Sequence, residues 1–98
     1  MNTVNDNNEI VISICKNFIV EEVSKFRDEL LELMKKGKKN FMLDFSNCEF
    51  IDSTGLGVIV SIYKKCKEEN GNIKLQHVKP QVMKVFELTR LDKVLEIH

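Results

Sequence analysis

The chain has few of the residues on which metal sites and disulfide frameworks depend. Its 98 residues include no tryptophan, one proline, two histidines and three cysteines. The cysteines form no C-x-x-C pair and their number is odd, which favours reduced thiols over disulfide bonds. With only two histidines beside them, we expect no metal site and no bound cofactor.

Excess charge and long apolar runs are also absent. Fifteen basic and fifteen acidic side chains cancel, so the net charge gives no sign of a nucleic-acid surface. No apolar segment approaches the roughly twenty residues that span a bilayer, and the polar N-terminus is unlike a secretory signal. We therefore expect a cytoplasmic protein that binds neither a membrane nor nucleic acid directly.

The apolar residues that are present suffice for one core. Hydrophobic residues make up 43% of the chain, which at this length predicts a single domain over residues 1–98, with a flexible polar tail over residues 1–8. Segments rich in β-branched or compact apolar side chains predict strands at residues 10–15, 18–20, 41–45, 72–78 and 94–97. Apolar side chains three or four residues apart predict helices at residues 21–36, from 53 to about 70, and from 80 onward.

The alternation of these strands and helices predicts an α/β fold. Strands that are separated by helices favour crossover connections and a mixed, mostly parallel sheet of about four to five strands, with the helices packed against it. The N-terminal strand, residues 10–15, is the candidate for an antiparallel edge.

The segment of residues 52–57, Asp-Ser-Thr-Gly-Leu-Gly, carries the most distinctive chemistry. It follows an apolar pair and precedes the second predicted helix, so it places a hydroxyl group at the start of that helix. The first N–H groups of a helix lack intrahelical partners, and the helix dipole adds positive charge there, so a phosphate on Ser53 would be well accommodated. We therefore predict that Ser53 is phosphorylated and that this segment binds a partner protein.

The neighbours of Ser53 and Thr54 have two interpretations each. Asp52 is predicted to cap the helix, and it either caps alone or also orients the Ser53 loop. Leu56 belongs either to the core or to the partner contact. Gly55 and Gly57 allow another backbone to approach closely, and this backbone belongs either to the domain's own strand or to a partner.

Known catalytic and phosphate-binding patterns do not fit this segment. A dinucleotide fingerprint would need glycine at Val60, and no Gly-Lys-Ser or Gly-Lys-Thr occurs. Ser53 is not framed as Gly-x-Ser-x-Gly, and only His77 and His98 are available as a histidine base. We predict no catalytic residue and no enzyme, and we interpret Asp44 as a loop-facing or hydrogen-bonded structural residue.

Two blocks of the sequence resemble a known family, the STAS domains, and within it the stand-alone bacterial anti-sigma factor antagonists. Residues 43–58 are similar to the family signature, in which a strand and loop deliver Asp-Ser-Ser/Thr-Gly-Leu-Gly to a helix. Residues 78–92 are similar to the later helix and the turn after it. The resemblance extends over nearly the whole chain and implies a single STAS-like domain.

The resemblance also implies a mechanism of partner switching. In the family, the serine after the aspartate, here Ser53, is phosphorylated by an anti-sigma factor that is itself a serine kinase of the GHKL type. The unphosphorylated antagonist binds that anti-sigma factor and releases a sigma factor, and a metal-dependent serine phosphatase resets the switch. The alternative is a ligand-binding or scaffolding STAS domain of a signalling complex, in which Ser53 stays unmodified.

The sequence departs from the family pattern before the first helix. Many antagonists carry Gly-x-Leu-Asp there, whereas residues 16–19 of this chain read Lys-Asn-Phe-Ile. The acidic residue that would lie near the phosphorylation loop is missing. Most members also continue into a further helix after the last strand.

Overall fold

A five-stranded sheet and three helices form the fold in the computed structural model, which describes residues 2–4 and 9–98. In chain order, the elements are β1 (Asn2–Val4), β2 (Ile10–Ser13), β3 (Asn17–Phe18), α1 (Val20–Lys35), β4 (Asn40–Asp44), β5 (Phe50–Ile51), α2 (Ser53–Glu68), β6 (Asn72–Gln76), α3 (Pro80–Leu88), a 3-10 turn (Leu91–Lys93) and β7 (Glu96–Ile97).

The main sheet has the strand order β1-β2-β4-β6-β7, and every pair except β1–β2 is parallel. Alternate side chains of the central strands lie in register and are buried: Phe41 pairs with Ile73, and Leu43 pairs with Leu75. The buried faces of the helices join the same core, which suits an amphipathic helix over the apolar face of a sheet. The predicted α/β fold with a mostly parallel sheet is confirmed.

The antiparallel edge of the sheet lies earlier in the chain than we predicted. Residues 10–13, within the segment considered for that edge, run parallel to β4. The edge strand is instead β1, whose backbone pairs with β2 in the register Thr3↔Val11. Backbone pairing needs no apolar pattern, so a polar segment taken for a flexible tail forms a strand at residues 2–4; residues 1 and 5–8 lie outside the described part.

A second, two-stranded sheet of β3 and β5 lies beyond the ends of β2 and β4 and leads into α2. Ile10 pairs with Phe41 in the main sheet, whereas Asn17 pairs with Phe50 in the small one, so the β4–β5 segment holds two extra residues. A tight turn after β4 accommodates them. The Ser46 N–H donates to Asp44 Oδ1 at 3.0 Å, which confirms Asp44 as a hydrogen-bonded structural residue.

Candidate functional site

The start of α2 presents two hydroxyl groups to solvent. β5 ends at Ile51, Asp52 is the N-cap, and Ser53 is the first helical residue, as predicted. Ser53 and Thr54 are both exposed. The first turn of α2 contains no acidic residue, so the acidic group at the positive end of the helix dipole is the carboxylate of Asp52, the N-cap.

Asp52 caps α2 and also binds the start of α1. Its Oδ1 accepts a hydrogen bond from the Gly55 N–H at 2.8 Å, which is the usual N-cap geometry. Its Oδ2 accepts a second bond from the Val20 N–H at 3.1 Å. One half-buried carboxylate therefore connects the N-termini of the two long helices and holds the segment that carries Ser53.

The second bond of Asp52 explains how α1 begins without a cap of its own. Ile19 occupies the N-cap position of α1, and its apolar side chain makes no capping hydrogen bond. The first N–H groups of a helix need acceptors from outside the helix. Asp52, 32 residues away in the chain, provides the acceptor for the Val20 N–H. We predicted the cap on α2 but not this link. A signal for it was present, because an apolar residue before a predicted helix cannot accept a hydrogen bond from the first N–H groups of that helix.

Gly55 and Gly57 have different structural roles. A methyl group at position 55 would lie 2.5 Å from the Phe18 carbonyl oxygen and 2.9 Å from Ile51 Cγ1, so Gly55 is required by the domain's own β3 and β5. At position 57 a methyl group would meet no atom within 4 Å. Glycine inside a helix costs roughly 0.5–1 kcal/mol relative to alanine, and packing within the described chain does not explain that cost at Gly57.

Leu56 points into the protein. Its side chain is 9% exposed and belongs to the main hydrophobic cluster, together with Val58 and Ile59. Of the two interpretations offered for Leu56, the structure favours a place in the core over direct contact with a partner.

Two exposed apolar side chains flank Asp52, and sequence reasoning did not single them out. Phe50 is 55% exposed on β5, and Val20 is 57% exposed at the first position of α1. Exposed aromatic and aliphatic groups beside a polar centre are typical of protein-binding surfaces. The exposure of Phe50 could have been predicted, because successive strand residues face opposite sides of a sheet and its neighbour Ile51 is buried.

The segment that departs from the family pattern lies directly against this site. The Lys16 carbonyl oxygen accepts hydrogen bonds from the N–H groups of Glu49 and Phe50, at 2.8 and 3.2 Å. Lys16 and Asn17 are exposed. This segment therefore lies beside β5, the strand that leads into the Ser53 loop.

The three thiols are free. Burial raises the pKa of Cys66 to about 11 and also raises the pKa of Cys48. Cys15 is exposed, and partial desolvation together with the nearby Glu22 raises its pKa.

Among residues 9–98, no group of three His, Cys, Asp or Glu side chains is placed to hold a metal ion, and none of the helices there is long and apolar enough to cross a bilayer.

Comparison with known proteins finds relatives over nearly the whole chain. The family model of the STAS domain matches residues 1–98. The anti-sigma-B factor antagonist of Bacillus subtilis is 28% identical over 90 residues, which cover 92% of this chain and 82% of that protein. The crystal structure of the Thermotoga maritima protein tm1081 superposes with a TM-score of 0.90 at 27% identity, covering 99% of this chain and 83% of that one.

More distant structures share the same architecture. The Bacillus cell fate determinant SpoIIAA in its phosphorylated form has a TM-score of 0.78 at 18% identity, over 100% of this chain and 89% of that chain. That likeness concerns the fold alone. With a family match over its full length, the chain belongs to the STAS domain family.

Proposed function

We propose that this protein is an anti-sigma factor antagonist whose binding is switched off by phosphorylation of Ser53. Its partner is an anti-sigma factor with serine kinase activity of the GHKL type, and a metal-dependent serine phosphatase reverses the modification. The observation that carries the proposal is the exposed Ser53 hydroxyl at the first position of α2. The name of the Bacillus subtilis relative supports the general role.

A phosphate on Ser53 suits the folded protein. It adds a charge of about −1.5 to −2, and the helix N-terminus favours negative charge. Asp52 already occupies the Gly55 N–H, so the phosphate would take the remaining N–H groups and water. We therefore expect phosphorylation to leave the fold nearly unchanged.

The same charge would weaken binding to a surface that fits a neutral hydroxyl. Burying a phosphate there costs desolvation energy and adds repulsion wherever the partner is acidic. A loss of about 2.8 kcal/mol weakens binding roughly a hundredfold. The switch is then a surface event and needs no rearrangement of the core.

The six residues of the predicted partner-binding segment divide into two groups in this proposal. The first group positions the segment from inside the domain: Asp52 does so by hydrogen bonds, and Gly55 and Leu56 by packing. Ser53, Thr54 and Gly57 are exposed and provide the contact surface.

The proposal is tested with an anti-sigma factor kinase of the GHKL type from the source organism. After incubation with that kinase and ATP, mass spectrometry should locate phosphate on Ser53, with Ser53→Ala unmodified and Thr54→Ala modified as the wild type is. In a binding titration, Ser53→Asp should bind the kinase at least tenfold more weakly than Ser53→Ala. Equal affinities would refute the charge switch, and an unmodified Ser53 in an otherwise active kinase reaction would favour the scaffolding alternative.

A further inference from the structure

A groove of about 320 Å³ separates α1 and α2 beside the Ser53 segment. It begins at Thr54, the residue after the proposed phosphorylation site, and follows α2 for about two turns. Its walls combine apolar, hydroxyl and cationic groups from both helices: Val23, Arg27, Thr54, Gly57, Val58 and Ser61.

Gly57 keeps this groove open. It is exposed and lies inside α2, where glycine weakens a helix relative to alanine. The open space above it contrasts with Gly55 and Gly71, where a methyl group would collide with the backbone of Phe18 and Lys39, respectively. A groove that holds a destabilising glycine with no internal steric reason is suited to a close approach from outside the chain.

Arg27 gives the groove an uncompensated positive charge. It is exposed, and in the described residues its guanidinium forms no ion pair within 4.0 Å. No carboxylate lies one helical turn away on α1, where positions 23, 24, 30 and 31 are Val, Ser, Leu and Leu. The first turn of α2, across the groove, also lacks acidic residues, and the carboxylate of Asp52 before it is engaged by the N–H groups of Gly55 and Val20.

We infer that this groove receives a segment of the anti-sigma partner that places a small apolar side chain over Gly57 and a carboxylate on Arg27. The guanidinium group matches a carboxylate by paired N–H donors, and the open space over Gly57 admits a small apolar side chain above a groove floor that the buried Val23 and Val58 line. The groove continues from Thr54, so one partner surface covers both the hydroxyl segment and the groove. This inference rests on the proposed function and adds the chemistry of the partner segment.

Binding of the same anti-sigma kinase to the full chain, measured by calorimetry, tests the groove. Arg27→Ala should weaken binding about tenfold or more and reduce its salt dependence, whereas Lys25→Ala, an exposed cation elsewhere on α1, should bind as the wild type does. Gly57→Ala should also weaken binding about tenfold, although its helix becomes more stable. A melting curve for each variant separates lost contact from lost folding.

The failure of the groove and the failure of the proposed function give different results. If Arg27→Ala and Gly57→Ala bind as the wild type does while Ser53→Asp does not, the groove inference is overturned and the phosphorylation switch stands. If the wild-type chain neither binds the kinase nor accepts phosphate from it, the proposed function is overturned, and the groove inference with it.

Discussion

Replacing Asp52 by alanine should destabilise the protein at two helices at once. The carboxylate accepts one hydrogen bond from Gly55 at the start of α2 and one from Val20 at the start of α1. Loss of an N-cap costs about 1 kcal/mol. A second N–H group left without its carboxylate acceptor costs a similar amount once its partial exposure to water is considered. We expect Asp52→Ala to lower the free energy of unfolding by about 2 kcal/mol and the melting temperature by roughly 10 °C.

The asparagine variant divides this effect between the two helices. Asparagine has one carbonyl oxygen, so it can cap α2 through Gly55 but cannot also accept from Val20. Asp52→Asn should therefore lose about 1 kcal/mol, approximately half of the alanine effect. Urea denaturation measures both values. Unfolding is followed by far-UV circular dichroism, because a chain without tryptophan gives no tryptophan fluorescence signal.

An exposed aspartate on α1 serves as the control. Asp28 has no capping role, and Asp28→Ala should change stability by less than about 0.5 kcal/mol. A loss below about 0.5 kcal/mol for Asp52→Ala would refute the double cap. Equal losses for the alanine and asparagine variants would refute the assignment of one oxygen to each helix.

Three further predictions concern the glycines and the thiols. Gly55→Ala should destabilise the protein by about 2 kcal/mol or more because its methyl group overlaps a neighbouring carbonyl oxygen. Gly57→Ala should instead stabilise it by about 0.5–1 kcal/mol. Urea midpoints that shift in the same direction from the wild type in both variants would contradict this difference. Iodoacetamide should alkylate native protein at Cys15 first, while buried Cys48 and Cys66 react only on unfolding; peptide mapping would detect an early reaction at either buried thiol. Burial raises the pKa of Cys66 from 9.0 to about 11, so the folded state keeps a proton that the unfolded state releases, and stability should fall between these pH values. The fall should be smaller in Cys66→Ala, and equal slopes would contradict the burial of that thiol.

Local chemistry made the start of α2, where the candidate site lies, predictable from the sequence. An aspartate followed by a hydroxyl residue and an apolar helical pattern specifies the start of α2, and the structure has Asp52 and Ser53 in those places. The alternation of β-branched segments with amphipathic ones similarly predicted the parallel sheet. These features depend on residues that are close together in the chain.

Features that depend on distant residues were not predictable in this way. The bond from Val20 to Asp52 joins residues 32 positions apart, and the different roles of Gly55 and Gly57 depend on where the Phe18 carbonyl lies. The antiparallel edge was placed on the wrong segment because pairing of β1 is a backbone interaction without an apolar signature.

The most direct test of the account is the position of phosphate after reaction with the proposed partner, an anti-sigma kinase of the source organism, and ATP. We predict one phosphate on Ser53, the exposed first residue of α2, in a protein whose circular dichroism spectrum is unchanged and whose affinity for the kinase is reduced. Phosphate on Thr54 instead, or no phosphate under conditions in which the kinase is active, would contradict the central claim.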